Sequence, residues 1–250
     1  MNENGPQLAR LFTRAVIRLS PLDQGENVSD FLQGLVTNDV TGPLPAYAAL
    51  LSAQGKTMFD FLVWPGEAGQ LLLDCEADAA DALIKRLSLY RLRRKIAIER
   101  DETIGVYWQE QMPEGSPDPR LAQLGHRRIA KICETDLPAD DAWLAHRLSL
   151  GVPEGSAELN DVLWLETNAV ELNGVSFDKG CYIGQENTAR MNWRQKVNRR
   201  LVVVQLEQSE EKRRKYAYPA LGLAIDHLRV SDLDPDALPP WQASALSPAD

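Results

Sequence analysis

The chain has 250 residues, of which 44% are hydrophobic and 25% charged, which is ordinary for a soluble globular protein with one large domain or two smaller ones. Its formal net charge of -9 argues against a protein that coats nucleic acid. The charge is uneven, because segment 179–215 has ten lysines and arginines against four glutamates, and segment 85–100 has seven against one. Such segments are typical of solvated surfaces and are also compatible with an anionic ligand.

The cysteine content indicates a reducing compartment. Cys75, Cys133 and Cys181 are too far apart, and odd in number, so they predict neither a disulfide framework nor a CxxC metal site. No apolar run reaches the roughly 18 residues of a membrane span. The first twenty residues are interrupted by arginines and do not form a secretory signal. We therefore expect a cytoplasmic protein with no bound metal and no membrane contact.

The first half of the chain alternates strand-like and helix-like segments. "FTRAVIRLS" predicts a strand, and "VSDFLQGLVTNDV" predicts a helix capped by Asn27 or Ser29. In "YAALLSAQGKTMFDFLVW" two apolar runs flank a turn whose Gly55 supplies a positive φ, which predicts a hairpin. The strand "QLLLD" follows, and then a helix with Ala79, Leu83, Leu87 and Tyr90 on its apolar face. Two more strands, "KIAIE" and "TIGVYW", come next. This order predicts an α+β fold with antiparallel sheets.

The second half contains longer irregular segments. Residues 109–125 predict a surface loop, and "DDAWLAHRLSLG" predicts a helix that ends at Gly151. "NGVSFDKGCYIGQENTARMNW" predicts a strand, a turn and a helix, whereas "EQSEEKRRKYAYPA" predicts an exposed loop. The strand predicted for "RRLVVVQLE" opens a small C-terminal unit. We therefore predict two domains, residues 1–196 and residues 197–250.

Several common catalytic motifs fail on inspection. "GKT" at residues 55–57 resembles the end of a P-loop, but Leu50 stands where that motif requires its first glycine. The three histidines lack metal-ligand spacing, so an isolated surface position is the ordinary interpretation of each. A cysteine hydrolase would need His146 or His227 within reach of Cys181, and the spacing does not favour this.

Cys181 lies between two glycines, Gly180 and Gly184, just before a segment with good helix-forming residues. A helix N-terminus and the nearby Lys179 would both stabilise a thiolate and lower the cysteine pKa, as expected for a reactive or ligand-binding sulfur. A small cysteine that fills a tight turn is an equally good interpretation of the spacing.

Glu186 and Arg190 follow at the start of that predicted helix. A carboxylate can accept two parallel N–H bonds, which a pterin ring offers. A glutamate in the first turn also stabilises its own helix and can pair with Arg190 four residues later. Both interpretations stay open at this level.

The octapeptide "KGCYIGQE", residues 179–186, resembles the signature of the YgfZ family, folate-binding proteins related to the glycine-cleavage T protein, an aminomethyltransferase. "FLQGLVTNDV" resembles the first helix of that family, and "ALLSAQGKTMFDFLV" resembles its central hairpin. "YRLRRKIAIE" is similar to its helix-to-strand passage, and "PPW" to its C-terminal end. The matches cover most of the chain. The octapeptide is specific, and the other segments are individually weak.

The resemblance implies an aminomethyltransferase-like α+β fold around a central hole, followed by a β-barrel that the fifty residues after Arg200 would leave shortened. It implies tetrahydrofolate or a derivative bound in that hole. Cys181 would be the signature cysteine, Glu186 the pterin contact and Asp60 the counterpart of the catalytic aspartate. The remaining folate contacts implied are Lys179, Gly180, Tyr182, Gly184, Gln185, Arg190, Asn38 and Asp39.

The resemblance further implies an accessory protein in the assembly or repair of iron–sulfur clusters, with client or assembly proteins as partners and indirect support of tRNA-modifying enzymes. Aminomethyl transfer is the alternative function. The resemblance disfavours it, because Phe59 stands where the T protein has the first of two paired aspartates. Since cluster ligation usually takes four thiolates, Cys181 alone could not hold a cluster. Direct RNA binding by the basic segments is a further alternative, which the acidic net charge disfavours.

Overall fold

The computed structural model describes residues 9–194 and 197–246, and its elements follow an α+β order. The strands are β1 (Ala9–Leu11), β2 (Arg14–Pro21), β3 (Ala46–Leu51), β4 (Thr57–Pro65), β5 (Leu71–Glu76), β6 (Ile96–Arg100), β7 (Ile104–Gln109), β8 (Ser116–Pro117), β9 (His126–Lys131), β10 (Leu137–Pro138), β11 (Arg199–Gln205), β12 (Arg214–Tyr218) and β13 (Leu223–Arg229). The α-helices are α1 (Val28–Gln33), α2 (Ala80–Arg91), α3 (Asp140–Ser149), α4 (Ser156–Leu159), α5 (Gln185–Trp193) and α6 (Pro240–Ala243). None of the helices in the described ranges is long and apolar enough to cross a membrane.

The described residues divide into two compact units, and neither unit is one continuous segment. The first comprises the described residues up to Leu32, Val40–Ala46 and Phe61–Leu144. The second comprises Gln33–Asp39, Tyr47–Asp60 and the described residues from Ala145 onward. The octapeptide and the C-terminal strands thus belong to the same unit. The domain boundary predicted at residue 196 lies outside the described residues and stays a prediction.

The first unit is built from antiparallel ladders with one parallel pair. Strand β2 pairs with β5, from Arg14↔Glu76 to Leu19↔Leu71, and with β6 on its other edge. A second sheet has the order β10-β1-β7-β9-β8, in which β1 and β10 are parallel. Helix α2 buries Leu83 and Leu87 of the predicted apolar face, whereas Tyr90 is half-buried and Ala79 precedes the helix. Burial of such leucines contributes about 2 kcal/mol each to stability.

The first unit also buries charged side chains that are far apart in the sequence. Asp74 is fully buried and accepts hydrogen bonds from Arg14 Nε at 2.6 Å and Arg127 Nη1 at 2.8 Å. The Arg127 Nε also donates to Asp118 at 3.2 Å. Burial by itself would raise the pKa of Asp118, but the neighbouring guanidinium groups outweigh it and hold that pKa below its usual value.

The second unit contains a three-stranded antiparallel sheet of order β11-β13-β12. The register of β11 and β13 runs from Arg199↔Arg229 to Gln205↔Leu223. This sheet takes the place of the shortened barrel implied by the resemblance, and no closed barrel forms in the described residues. The prediction of an exposed loop for "EQSEEKRRKYAYPA" was wrong, because that segment includes β12. Its charged residues masked a strand at the edge of a sheet, where charged side chains remain solvated.

Two local signals are confirmed in detail. The side chain of Asn27 accepts a hydrogen bond from the Asp30 N–H at 3.2 Å, so Asn27 caps α1. The turn between β3 and β4 is closed by Ser52 N–H to Lys56 O at 2.9 Å, and Gly55 has φ 78°. Backbone bonds from Thr37 to Ala49 and from Thr57 to Val162 flank this hairpin within the second unit. The strand predicted for "NGVSF" is absent, and that segment is irregular.

Candidate functional site

Cys181 lies in an irregular segment that ends where helix α5 begins at Gln185. Its thiol is free and exposed. A Cβ added to the neighbouring Gly180 would meet no atom within 4 Å, so the chain is open to solvent on this side as well. The expectation that the cysteine lies just ahead of a helix N-terminus is confirmed, with three residues between Cys181 and α5, and the sulfur is exposed.

Gly184 anchors the C-terminal side of the Cys181 turn. It caps α5 with φ 81°, and a Cβ placed on it would lie 2.5 Å from Ser52 O and 3.0 Å from Gly55 Cα. The side-chain amide of Asn187 donates to Gln54 O at 2.7 Å. The start of α5 therefore packs directly against the backbone of the hairpin turn, and only glycine satisfies both the φ and the contact.

Lys179 anchors the N-terminal side of the turn. Its ammonium group donates to three backbone carbonyls, those of Gln33 at 2.7 Å, Asn38 at 2.9 Å and Val36. These bonds use all three of its donors. Burial lowers the pKa of Lys179 to about 8, although the carboxylate of Asp39 raises it. The ammonium group therefore has no donor left for the Cys181 sulfur, whose thiolate Lys179 was expected to stabilise.

The aromatic ring of Tyr182 completes this anchor. It is buried at 7% exposure, and its centroid lies 5.2 Å from the Lys179 ammonium, which is within range of a cation–π interaction. Burial raises the pKa of Tyr182, while a hydrogen bond with Thr188 lowers it. Tyr182 is therefore a buried packing residue of the turn and does not line an open surface.

Asn38 and Asp39 belong to the segment that receives Lys179. The Asn38 side-chain amide donates to Tyr47 O at 2.8 Å and to Asn173 O at 2.7 Å. Asp39 accepts from the Gln33 side chain at 3.1 Å. The structure thus brings these two predicted residues together with Lys179 and ties them to the backbone around it.

Asp60, the predicted catalytic aspartate, is 6% exposed and lies on β4. Tyr47 Oη and Gly155 N each lie 3.5 Å from its Oδ2. Tyr47 in turn packs against Trp164 in a tilted arrangement, with ring centroids 5.5 Å apart. Asp60 is therefore a buried carboxylate next to a tyrosine hydroxyl.

Glu186 and Arg190 lie on the solvent side of α5. Their side chains are 87% and 57% exposed and form an i,i+4 pair with Nη2 and Oε1 3.5 Å apart. Pairs of this kind contribute little to stability, about 0.3–0.5 kcal/mol. Such a weak pair leaves the Glu186 carboxylate able to accept further hydrogen bonds. The geometry suits both interpretations drawn from the sequence, and the role of Glu186 in folate binding stays a prediction.

Two polar groups of the second unit were not found from the sequence. Glu158 is fully buried and accepts bonds from Arg147, the Glu154 N–H and the Tyr218 hydroxyl. His227 Nε2 lies 2.9 Å from Glu166 Oε2, so this histidine is not the isolated surface residue that was expected. Tyr218 lies 60 residues from Glu158 in the sequence, and His227 lies 61 residues from Glu166. No local sequence pattern indicates contacts over such separations.

Comparisons with known proteins show which proteins this chain is similar to. No family model matches the chain. The iron–sulfur cluster assembly factor IBA57 of mouse mitochondria is 34% identical over 79% of this chain and 66% of its own length. The human IBA57 is also 34% identical, over 78% of this chain and 65% of its own, and the Neurospora crassa homologue is 30% identical over 78% and 52%.

The chain belongs to the YgfZ family, together with the IBA57 assembly factors. A crystal structure of the glycine cleavage system aminomethyltransferase T from Bartonella henselae shares the fold, with a TM-score of 0.63 over 90% of this chain and 78% of the other, at 12% identity. At that identity the likeness concerns the fold alone. This YgfZ-family chain spans slightly less than two thirds of the mammalian relatives' length and about half of the Neurospora protein's.

We expect substitution of the two glycines of the octapeptide to change stability by very different amounts. Gly184→Ala should destabilise the protein by more than about 2 kcal/mol, because the new methyl group would be strained at positive φ and would clash with the Ser52 carbonyl. Gly180→Ala is the matched control and should change stability by less than about 0.5 kcal/mol. Urea unfolding of both variants measures the difference, and equal losses would contradict the close packing at Gly184.

Lys179 predicts a distinctive pH dependence. Its pKa of about 8 lies below the ordinary value of 10.5, so between these pH values the folded chain binds fewer protons than the unfolded chain. This group alone therefore makes the free energy of unfolding rise with pH in that window. Urea unfolding at pH 7.5 and pH 10, compared with the non-titrating variant Lys179→Met, isolates the effect. The wild type should gain stability relative to the variant at the higher pH, and a constant difference would refute the lowered pKa.

Proposed function

We propose that this protein is an accessory factor in the assembly or repair of iron–sulfur clusters and that Cys181 is its reactive group. The proposal rests chiefly on the exposed thiol of Cys181, which is held between two anchors, Lys179 and Gly184. The relatives named as iron–sulfur cluster assembly factors support the same role. A thiol that is both accessible and fixed in position suits contact with a partner protein or a cluster in transit.

Any cluster would be cargo that is shared with another molecule. Among the described residues no three His, Cys, Asp or Glu side chains are grouped as metal ligands. Since iron–sulfur clusters are usually held by four thiolates, Cys181 would supply one ligand and a client or assembly protein the others. The proposed partners are therefore proteins with cluster-ligating cysteines. Any effect on tRNA-modifying enzymes would be indirect, through their clusters.

Folate binding is proposed for the same unit, with Glu186 and Asp60 as the carboxylates that would receive the pterin. The chemistry of each group suits a pterin, which presents paired N–H groups: the Glu186 carboxylate is exposed, and the Asp60 carboxylate is buried beside the Tyr47 hydroxyl. The exposed Glu186 has only the long contact with Arg190 to break. A bound tetrahydrofolate would supply a carrier for one-carbon units, and the protein's part would be to bind and orient it.

Aminomethyl transfer is the second candidate and is favoured by the fold shared with an aminomethyltransferase. The sequence weakens it, because Phe59 replaces one carboxylate of the aspartate pair in the hairpin. Turnover with an aminomethyl donor and tetrahydrofolate separates the two candidates.

The proposed location is a reducing compartment such as the cytoplasm, in line with the free Cys75, Cys133 and Cys181. The matched relatives are named as mitochondrial.

Cys181→Ser should abolish function in cells that lack their own YgfZ-family protein. The measurement is the activity of an iron–sulfur enzyme, divided by the amount of that enzyme and compared with the wild-type chain and an empty vector. Activity should fall to the empty-vector level while the variant itself accumulates normally, because the mutated side chain is exposed.

Cys133→Ser is the matched control, since Cys133 is also exposed and free. Hydrogen bonds with Thr135 lower the pKa of Cys133, so a general effect of losing a reactive surface thiol would appear in this variant too. It should restore activity fully. If both variants restored activity equally, Cys181 would not be the functional group.

Titration calorimetry with tetrahydrofolate tests the ligand. The wild type should bind, and Glu186→Gln should bind at least about tenfold more weakly, because the amide cannot accept two parallel N–H bonds. Glu114→Gln is the control, since its carboxylate is 77% exposed and likewise pairs with an arginine, Arg128. Failure of the wild type to bind would remove folate from the proposal. Equal binding by the two variants would remove Glu186 from the contact.

A further inference from the structure

A second candidate site lies at one end of the three-stranded sheet in the second unit. A cleft of about 680 Å³ opens between the start of β11 and the end of β13. Its lining residues, here called the arginine cleft, are Val197, Asn198, Arg199, Arg229, Val230 and Ser231. Two of its lining residues are joined by a backbone hydrogen bond, in which the Val230 N–H donates to Asn198 O at 2.9 Å. A volume of this size is in the range of small-molecule sites.

The two arginines of the cleft are cross-strand partners. Arg199 lies directly opposite Arg229 in the antiparallel register of β11 and β13. Residues in that relation project from the same face with Cβ atoms about 5 Å apart, and like charges placed there repel each other. This arrangement costs stability unless an anion lies between the two guanidinium groups.

Neither arginine forms an ion pair with a carboxylate of the described residues. Arg199 donates only to the carbonyl of His227, at 3.4 Å, and Arg229 is exposed. The other arginines of the sheet do have close acceptors. Arg200 pairs with Glu171 at 2.8 Å, and Arg214 donates to Ser209 Oγ at 2.8 Å. Among the described residues of this sheet, the two arginines of the cleft are therefore those whose guanidinium groups have no acceptor closer than 3.4 Å.

Two acidic groups that contact residues in or beside the cleft are already engaged. Glu166 pairs with His227, which lies two residues before Arg229 on β13. Asp232 follows the cleft and accepts from Ser231 at 3.0 Å and from Arg213 at 3.4 Å. Among the described residues, the two positive charges of the cleft therefore have no carboxylate partner, in a chain whose net charge is -9.

We propose that the arginine cleft binds a small molecule through an oxyanion group, either a phosphate or a carboxylate. Guanidinium groups present planar pairs of N–H donors that match these anions, and one anion between Arg199 and Arg229 would remove their repulsion. The acidic chain as a whole disfavours a long nucleic-acid backbone over a small ligand. This site is separate from Cys181 and Glu186 and goes beyond the cluster-assembly role.

Thermal unfolding and calorimetry with inorganic phosphate and with citrate test the proposal against chloride at equal ionic strength. Phosphate or citrate should raise the unfolding midpoint of the wild type to a plateau, and the anion that does so identifies the ligand chemistry. Arg229→Gln and Arg199→Gln should each bind at least about tenfold more weakly. Arg93→Gln, which removes the same charge from an exposed turn of the first unit, should bind like the wild type.

A second readout follows from the repulsion itself. In chloride alone Arg229→Gln should unfold at a higher temperature than the wild type, whereas Arg93→Gln should show no such gain. The proposal is overturned if neither anion gives a saturable response in the wild type, or if Arg229→Gln responds equally. A lower midpoint for Arg229→Gln in chloride, or binding of an RNA oligonucleotide without binding of either small anion, would also overturn it.

Discussion

The position of Cys181 depends on the contacts of Lys179 and Gly184, which hold an irregular segment of the second unit in place. Fixing each residue of such a segment costs about 1–2 kcal/mol of conformational entropy, so strong contacts must offset it. The Lys179 side chain fixes one side of the segment in position, because its buried ammonium requires acceptors and finds three carbonyls in residues 33–38. The contact between Gly184 and the Ser52–Gly55 turn fixes the other side. Cys181 is exposed between these two fixed points.

This arrangement divides the octapeptide by physical role. Lys179, Tyr182 and Gly184 shape the segment through a buried charge, a buried ring and a close backbone contact. Cys181 and Glu186 face solvent and keep their chemistry available. A specific sequence signature can thus combine residues that build a scaffold with residues that meet a ligand or partner. That division explains how one thiol can be both accessible and held in place.

The local parts of the fold were predictable because their causes lie within a few residues. The Asn27 cap, the positive φ of Gly55 and the start of α5 after Gly184 each follow from backbone and side-chain chemistry at one position. Strand β12 was missed, since a charged edge strand resembles a loop in composition. The strand expected in "NGVSF" does not form. There the Ser176 N–H donates to the carbonyl of Thr37, outside any sheet.

The sequence by itself determined the α+β class, the hairpin, the family and the identity of Cys181 as the residue to examine, because periodicity and a specific octapeptide are local properties. Tertiary structure alone decided what Lys179 binds, since its acceptors are 141 to 146 residues earlier in the chain. It also decided that Asp74 joins Arg14 to Arg127 and that Arg199 opposes Arg229. Charged groups choose partners by distance and burial in the folded chain, and a linear pattern carries neither quantity.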